Sequence, residues 1–241
     1  MPRVEQLAVV VPARNEARLL PRCLQALGAA AAQLRIDLPE VALSVVVVLD
    51  SCTDDSAAVL NQFGDVGALA VTVGTVGAAR QAGVAHLSAA APDAGPDWFA
   101  MTDADSAVRA DWLVHQVRAA HSGADLLVGT VVPDACEISA VQFARWQEAH
   151  QAGDGHGHVY GANLGFSRRA LVATGGFRGL LAHEDVDLAE RIKAVGLPWV
   201  ASARCPVLTS ARMVGRTPVG FAGYLRGELT SHLIEPSARG V

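Results

Sequence analysis

Apolar and amphipathic stretches alternate along the first part of the chain. The runs LAVVV at 7–11 and LSVVVVL at 43–49 are continuous and rich in β-branched residues, as expected of strands buried on both faces. Two further runs predict strands, and polar segments with small or leucine residues on one face predict helices between them. The predicted strands are 7–11, 43–49, 68–73 and 98–102, and the predicted helices are 15–34, 54–63 and 76–90. This alternation predicts a Rossmann-like α/β fold with a mostly parallel central sheet flanked by helices.

The pattern is less regular after residue 106. Helices are predicted at 111–121, 138–152 and 184–195 and from Arg168, and strands at 125–132, 161–166 and 197–201. A glycine-rich loop at 153–158 interrupts this half, and the tail from Thr209 has no clear pattern. Because no repeat or linker divides the chain, a single domain over 1–241 is expected.

Composition excludes several classes of protein. Apolar residues make up 51% and charged residues 18% of the chain, which provides a sizeable core and argues against disorder. The net charge is −5 and aromatic residues make up only 5%, so nucleic-acid binding is not expected.

Cysteine spacing and hydropathy bear on the compartment. The four cysteines lie far apart without metal-ligand spacing, which predicts buried, reduced thiols in a cytoplasmic protein. No apolar run reaches about 18 residues, so no transmembrane segment is expected. The N-terminus lacks a signal-peptide core. Peripheral membrane contact stays open.

Two aspartates follow the fourth predicted strand at the point where it ends. Asp103 and Asp105 flank Ala104, and alternate residues of an extended chain point the same way. Two nearby carboxylates repel each other unless a cation lies between them, and Mg²⁺ and Mn²⁺ share oxygen ligands with phosphates. The pattern predicts a site for a divalent metal and a diphosphate, with a solvated acidic turn as the alternative.

Other polar groups are expected at the same edge, because ligands bind at the carboxyl ends of parallel strands. Asp50 ends the second strand, and its carboxylate can accept a hydrogen bond from a nucleobase N–H. Segment 12–16 (PARNE) follows the first strand, where backbone N–H groups can hold an anion or a planar base. An ordinary strand-to-helix turn is the alternative for that segment.

Two later segments also contain candidate residues. Segment 74–83 resembles a phosphate-binding glycine loop, although its spacing departs from the known patterns and close helix packing explains it equally well. Arg80, one turn inside the predicted helix of that segment, is expected to reach the crevice. Segment 183–188 (HEDVDL) has three acids at the start of a predicted helix. Favourable interaction with the helix dipole is a sufficient explanation for any one of them. Asp185 is also suited to act as a general base.

The ordered set VVVPARNE, VVVVLDSCTDDS, GAARQAG, TDADS, GANLGFSRRAL…GGF and HEDVDLAERI resembles the family 2 glycosyltransferases, which have the GT-A fold. The resemblance covers roughly residues 7–196. It implies a hexosyltransferase that moves a sugar, with inversion, from a nucleotide-sugar, UDP or GDP being the expected nucleotide, to an acceptor hydroxyl. It also implies a nucleotide-sugar-binding half at 1–106 and an acceptor-binding half at 107–241, and it leaves a homodimer open.

The resemblance further implies a role for each site residue. Mg²⁺ or Mn²⁺ is implied to bind Asp105 directly, with Asp103 on the ribose or the ion. Asp185 is implied to be the base, with Glu184 beside it on the acceptor. A third metal ligand is not identifiable; His183 and His232 are the candidates, and a shell completed by water alone is the alternative for Mg²⁺. The positions implied to hold the nucleotide-sugar are Pro12, Ala13, Arg14, Glu16, Asp50, Arg80, Asp103 and Ala104.

Two alternative functions are kept. A sugar-1-phosphate nucleotidyltransferase would need a glycine-rich loop where PARNE stands, and it would release pyrophosphate. A non-catalytic nucleotide-sugar-binding protein would keep Asp50 and Asp103 but needs no base.

Four further features are predicted with less specific roles. His156 and His158 are expected in a mobile acceptor-side loop, with metal ligation by their H-x-H spacing as the alternative. The arginines of 209–216 are expected near the diphosphate or on the surface. Trp146 and Trp199 are expected in the core or at an interface.

Overall fold

The computed structural model describes residues 3–90, 95–150 and 153–212. The chain divides into two compact units, Met1–Val132 with Ala152–Thr209, and Pro133–Gln151 with Ser210–Val241. The strands are β1 Gln6–Ala13, β2 Ala42–Asp50, β3 Gly67–Val71, β4 Trp98–Met101, β5 Ser106–Ala107, β6 Leu126–Pro133, β7 Leu164–Ser167 and β8 Trp199–Thr209. The helices are α1 Leu20–Asp37, α2 Ser56–Leu60, α3 Val76–Ala89, α4 Trp112–His121, α5 Ala140–Ala149, α6 Arg168–Thr174 and α7 Glu184–Ala194.

All eight strands form one sheet in the order β3-β2-β1-β4-β7-β6-β8-β5. The four strands predicted in the first half pair in parallel, with β1 between β2 and β4. The later strands add antiparallel pairs, β7 with β4 and with β6, and β5 with β8. The parallel part therefore ends at β4, and the acidic turn lies where the sheet changes direction.

Continuous apolar runs explain why β1 and β2 are interior strands of the sheet, each with a neighbour on both sides. Residues 7–11 of β1 and 46–50 of β2 are buried, as strands covered on both faces must be. Helix α3 packs on these strands through Gly83. A Cβ at Gly83 would lie 2.5 Å from Val10 and 2.9 Å from Val48, so the glycine permits the close approach. The close-packing interpretation of segment 74–83 is confirmed at this position.

Several predicted element boundaries are wrong. Helix α1 begins at Leu20 rather than at residue 15, with Pro21 in its first turn, where proline is favoured, and Asn15 in a left-handed conformation. The predicted strand at 161–166 begins with a 3₁₀ turn, Gly161–Asn163, before β7. The last strand, predicted at 197–201, extends to Thr209.

A buried polar contact explains the 3₁₀ turn. Asn163 donates to the carbonyl oxygens of Thr130, at 2.8 Å, and Cys205, at 2.9 Å, and accepts from the Trp112 indole at 2.9 Å. Both polar atoms of this buried side-chain amide are therefore paired, as a buried polar group requires. The contact fixes the chain just beyond Gly161, a residue of the candidate site.

The prediction that all four cysteines are buried is confirmed only in part. Cys23 and Cys205 are buried and Cys52 is half-buried, but Cys136 is exposed, so the prediction of burial is wrong for that residue. All four thiols are free, as expected. Across the described ranges, none of the helices has the length and apolar character needed to cross a membrane.

The smaller unit contains α5. Ser139 and Gln142 form a reciprocal capping box at the start of this helix. Trp146 is buried and stacks on His150, with ring centroids 3.5 Å apart. Its burial agrees with the prediction of a core position.

Candidate functional site

The loops after β1 and β2 are fastened to each other. Asn15 and Ser51 have positive φ values of 55° and 53°, a strained conformation that concentrates at functional sites. The Asn15 side chain accepts a hydrogen bond from the Thr53 backbone N–H at 2.7 Å. These contacts give the crevice a fixed wall at the carboxyl ends of two parallel strands.

The predicted anion-binding backbone of segment 12–16 is largely engaged within the protein. Pro12 is half-buried, Ala13 and Glu16 are buried, and Arg14 is exposed. Two N–H groups of this segment donate to side chains of the neighbouring loop, Asn15 to Cys52 Sγ at 3.4 Å and Glu16 to Ser56 Oγ at 2.9 Å. The anion-binding interpretation is wrong for these two N–H groups, and the rest of the segment stays a prediction. The N–H of Ala17, just beyond the segment, donates to Asp54 at 2.9 Å.

Asp50 organises the loop that follows β3. It is buried and accepts hydrogen bonds from the N–H groups of Val73 at 2.9 Å and Gly74 at 3.0 Å, and from the Ser51 hydroxyl at 3.0 Å. Gly74 has a φ of 80°, which favours glycine. Most of these contacts fall on Oδ1, and Oδ2 takes one donor, Gly74. That oxygen keeps acceptor capacity for a nucleobase, so the predicted role of Asp50 stays a prediction.

Asp103 and Asp105 lie in a tight turn rather than on an extended strand. Strand β4 ends at Met101, and the Ser106 N–H donates to the Asp103 carbonyl at 3.0 Å. The alternating-residue argument is therefore wrong for this pair. The Cys23 thiol donates to the Asp103 carbonyl oxygen at 3.4 Å, and burial together with the charges of Asp105 and Asp103 raises the pKa of that thiol. Ala104 between them is buried.

Arg80 joins the acidic turn to the start of α7. Its Nη2 donates to Asp103 Oδ1 at 2.6 Å, and its Nη1 donates to Glu184 Oε1. Burial alone would lower the pKa of Arg80, but the carboxylates of Asp103, Glu184 and Asp185 hold it above its ordinary value. The candidate residues from three separate segments thus meet in one ion-pair group.

The two acids of α7 have different surroundings. Glu184 is buried, which raises its pKa, and the charge of Asp185 adds to the rise, while Arg80 opposes it. Asp185 is half-buried, and its Oδ2 accepts a hydrogen bond from the Gly161 N–H at 2.6 Å. The preceding His183 is exposed and has a φ of 60°. The geometry leaves Asp185 partly accessible and Glu184 enclosed.

The donor set of the acidic turn suits a hard divalent cation. Asp103 and Asp105 offer carboxylate oxygens at partly exposed positions, and Mg²⁺ often binds one or two carboxylates, completing its shell with water and phosphate oxygens. Within the described ranges, no three or more His, Cys, Asp or Glu side chains converge on one point. The third ligand is therefore not identified. His183 is exposed, and His232 lies outside the described residues.

The less specific candidates lie elsewhere. The loop with His156 and His158 is attached to β8, since Asp154 accepts hydrogen bonds from the Ala203 N–H at 3.0 Å and the Arg204 Nε at 2.9 Å. Trp199 is 45% exposed, with Lys193 Nζ 4.4 Å from its ring centroid, so a core position is wrong for it. Arg212 is half-buried and Arg216 lies outside the described residues.

Sequence reasoning missed two residues of the site. Gly161 was placed in a strand, yet it donates to Asp185 and lies against the Arg80 guanidinium. Phe177 lies beneath that guanidinium, with 5.7 Å from Cζ to the ring centroid. The only signal was a glycine before a polar asparagine in 161–163, and its importance depends on contacts distant in sequence.

A model of the family described as Glycosyl transferase family 2 matches residues 8–171. The match includes β1 to β7, the acidic turn and Arg80, and it ends before the acids of α7. No curated protein matches the chain.

Three solved structures are similar in fold. TarS 1-349 from S. aureus has a TM-score of 0.63 at 13% identity over 95% of this chain and 67% of its own. The same protein in complex with UDP has a TM-score of 0.63 at 14% sequence identity, and the match covers 86% of this chain and 61% of that structure. The mannosyltransferase PcManGT from Pyrobaculum calidifontis, in complex with GDP-Man and Mn²⁺, has a TM-score of 0.61 at 19% sequence identity. That match covers 97% of this chain and 63% of the mannosyltransferase structure. The likeness confirms the predicted α/β fold of the GT-A type, and the chain spans about two thirds of each of these structures.

Proposed function

Since this chain belongs to glycosyl transferase family 2, we propose that it transfers a sugar from a nucleotide-sugar to an acceptor hydroxyl with inversion at the anomeric carbon. One observation carries the proposal. Arg80 brings the acidic turn after β4 and the acids of α7 into one group, as transfer between a donor and an acceptor requires. A glycosyltransferase needs a site for the leaving diphosphate and a base for the hydroxyl, and the group contains residues suited to both.

Asp105 and Asp103 are the residues proposed to hold Mg²⁺ or Mn²⁺. A bound divalent ion stabilises the charge that develops on a departing diphosphate. The partial exposure of both carboxylates supports the assignment, and so does the solved mannosyltransferase with GDP-Man and Mn²⁺. The buried Asp50 and the fastened loops after β1 and β2 are proposed to hold the base and ribose.

Asp185 is proposed as the general base. Its carboxylate takes the proton of the acceptor hydroxyl while the acceptor oxygen bonds to the anomeric carbon and the bond to the diphosphate breaks. The Gly161 N–H holds Oδ2 in position at 2.6 Å. Such a base contributes about 10²–10⁴ in rate. Glu184 is enclosed, and its proposed role is to support the acceptor end of the site.

The nucleotide is proposed to be UDP or GDP. Similar folds have been solved with UDP and with GDP-Man. The residues that choose the base are expected near Pro12 and Asp50.

A thermal-shift panel of UDP-, GDP- and dTDP-sugars, each with Mn²⁺ and with EDTA, tests the function. At a hundred times the Kd, binding adds about 2.7 kcal/mol of stability, which raises the Tm by roughly 5–10 °C in a protein of this size. We expect such a shift with one nucleotide class in Mn²⁺ and a small fraction of it in EDTA.

The absence of a metal-dependent shift with every donor would contradict the proposal. Pyrophosphate release from a nucleoside triphosphate and a sugar 1-phosphate would instead indicate a nucleotidyltransferase. Metal-dependent binding without transfer or slow donor hydrolysis would indicate a binding protein.

A further inference from the structure

The sequence suggested Arg80 as a nucleotide ligand, but its surroundings fit another role. The residue is 2% exposed, and each terminal nitrogen already donates to a carboxylate, Asp103 or Glu184. Its Nε is also buried and has no hydrogen-bond partner in the described part of the chain. A guanidinium enclosed in this way offers almost no surface to a nucleotide.

Packing holds the guanidinium in place. A Cβ at Gly161 would overlap both terminal nitrogens of Arg80, so a larger residue there would displace the guanidinium from its present position. A Cβ at Gly77 would lie 2.9 Å from the Cβ of Glu184, and that position also excludes larger residues. Phe177 covers another side of the guanidinium. The position of Arg80 is therefore built into the core.

We propose that Arg80 is a positioning residue that couples the donor end of the site to the acceptor end, an inference that rests on the function proposed above. One rigid planar group is paired with Asp103 on the turn and with Glu184 on α7. The guanidinium matches two carboxylates at once, which an ammonium does not. A change in charge at either carboxylate therefore alters the pairing at the other.

The coupling has a definite sign. Arg80 and a divalent cation compete for the negative charge of Asp103. While Glu184 is ionised, the Arg80 guanidinium is shared between Glu184 and Asp103. Asp103 is then less fully neutralised and is more available to the cation. When Glu184 has no charge, Arg80 pairs with Asp103 alone, and Asp103 then binds the cation more weakly. Coupling between sites is reciprocal, so metal and donor binding also affects the acceptor end.

The first test is Glu184→Gln, which keeps the shape of the side chain and removes its charge. The measurement is the Kd of UDP or GDP in Mn²⁺ by calorimetry, using whichever nucleotide the wild type binds. We expect the variant to bind about fivefold more weakly or worse, within the usual range of site-to-site coupling. Asp187→Asn, on the same helix but paired with Arg178 and Arg191 rather than with Arg80, is the matched control and should leave the Kd unchanged. An unchanged Kd in Glu184→Gln overturns the proposal.

The second test separates coupling through Arg80 from direct attraction between Glu184 and the cation. In an Arg80→Lys background, Glu184→Gln is expected to change the nucleotide Kd by less than about twofold, because lysine pairs with one carboxylate at a time. A full fivefold effect in that background overturns the proposal. If Arg80→Lys does not fold, an unchanged Kd in Glu184→Gln still overturns the proposal.

Arg80→Lys alone distinguishes positioning from nucleotide binding. We expect kcat for donor turnover to fall on the order of 10²-fold, as small misplacements of reacting groups do, with the nucleotide Kd within about threefold. Arg178→Lys, at an exposed arginine paired with Asp187, is the control and should change neither. A tenfold rise in Kd with kcat retained would make Arg80 a nucleotide ligand and refute the positioning role.

Failure of the proposed coupling and failure of the proposed glycosyltransferase function give different results. A wild-type protein that binds no nucleotide in a metal-dependent way refutes the proposed function. Wild-type binding that Glu184→Gln leaves unaltered refutes only the coupling.

Discussion

Asp185→Asn is expected to lower kcat by about 10²–10⁴-fold, because a positioned general base contributes a factor of that size. At about 1.36 kcal/mol per decade, the loss corresponds to roughly 3–5 kcal/mol of activation free energy. Asparagine has nearly the same shape, and its amide oxygen can accept the Gly161 N–H that Asp185 accepts at 2.6 Å. The variant therefore removes the proton acceptor and keeps the local contact. Release of nucleoside diphosphate from the nucleotide-sugar is the measurement.

Asp187→Asn is the matched control for this variant. Asp187 lies two residues further along α7, and its carboxylate pairs with the exposed Arg178 and the half-buried Arg191. Its loss should alter stability slightly and leave kcat within a factor of two. Turnover by Asp185→Asn close to that of the wild type would remove Asp185 from the role of base. The nucleotide Kd should be the same in both variants.

Asp105→Asn is expected to weaken Mn²⁺-dependent nucleotide binding by at least about 10²-fold. A metal ion supplies several kcal/mol of charge stabilisation to a bound diphosphate oxygen, and about 1.36 kcal/mol corresponds to each factor of ten. Asparagine offers a neutral oxygen and cannot balance a divalent charge. The measurement is calorimetry of UDP or GDP with the variant in Mn²⁺ and in EDTA.

The control for the metal site is Asp111→Asn. Asp111 follows the same turn and precedes α4, but its carboxylate is 53% exposed and pairs with Arg109. Exposed pairs of this kind contribute little, so binding and stability should stay close to the wild type. If Asp105→Asn still bound the nucleotide as tightly in Mn²⁺ as the wild type does, the cation would have to lie elsewhere.

The sequence predicted the parallel half of the sheet well because burial on both faces leaves an unmistakable pattern. The apolar runs of β1 and β2 carry that pattern, and each ends at a polar residue or proline near the crevice. Helix α3 was predicted to start at Val76, where it does start, directly after Gly74 and Thr75. Its end was predicted within one residue. The identity of the site followed from these ends, because parallel strands present their carboxyl ends to one crevice.

Contacts between distant segments were beyond sequence reasoning. Arg80 and Glu184 are 104 positions apart, and no local pattern indicates that a buried arginine pairs with both Glu184 and Asp103. The turn that holds Asp103 depends on a hydrogen bond from Ser106, which alternation along a strand could not reveal. The early start predicted for α1 overlooked Pro21, whose fixed φ favours the first turn of a helix.

The most direct test is a titration of Mn²⁺ into the wild-type protein by electron paramagnetic resonance, with and without UDP or GDP. If the acidic turn holds the cation together with a diphosphate, about one ion per chain should bind at least tenfold more tightly with the correct nucleotide, a coupling of ordinary size. Asp105→Asn should abolish that enhancement. Mn²⁺ binding of equal strength with and without the nucleotide would contradict a metal–diphosphate site at Asp103 and Asp105.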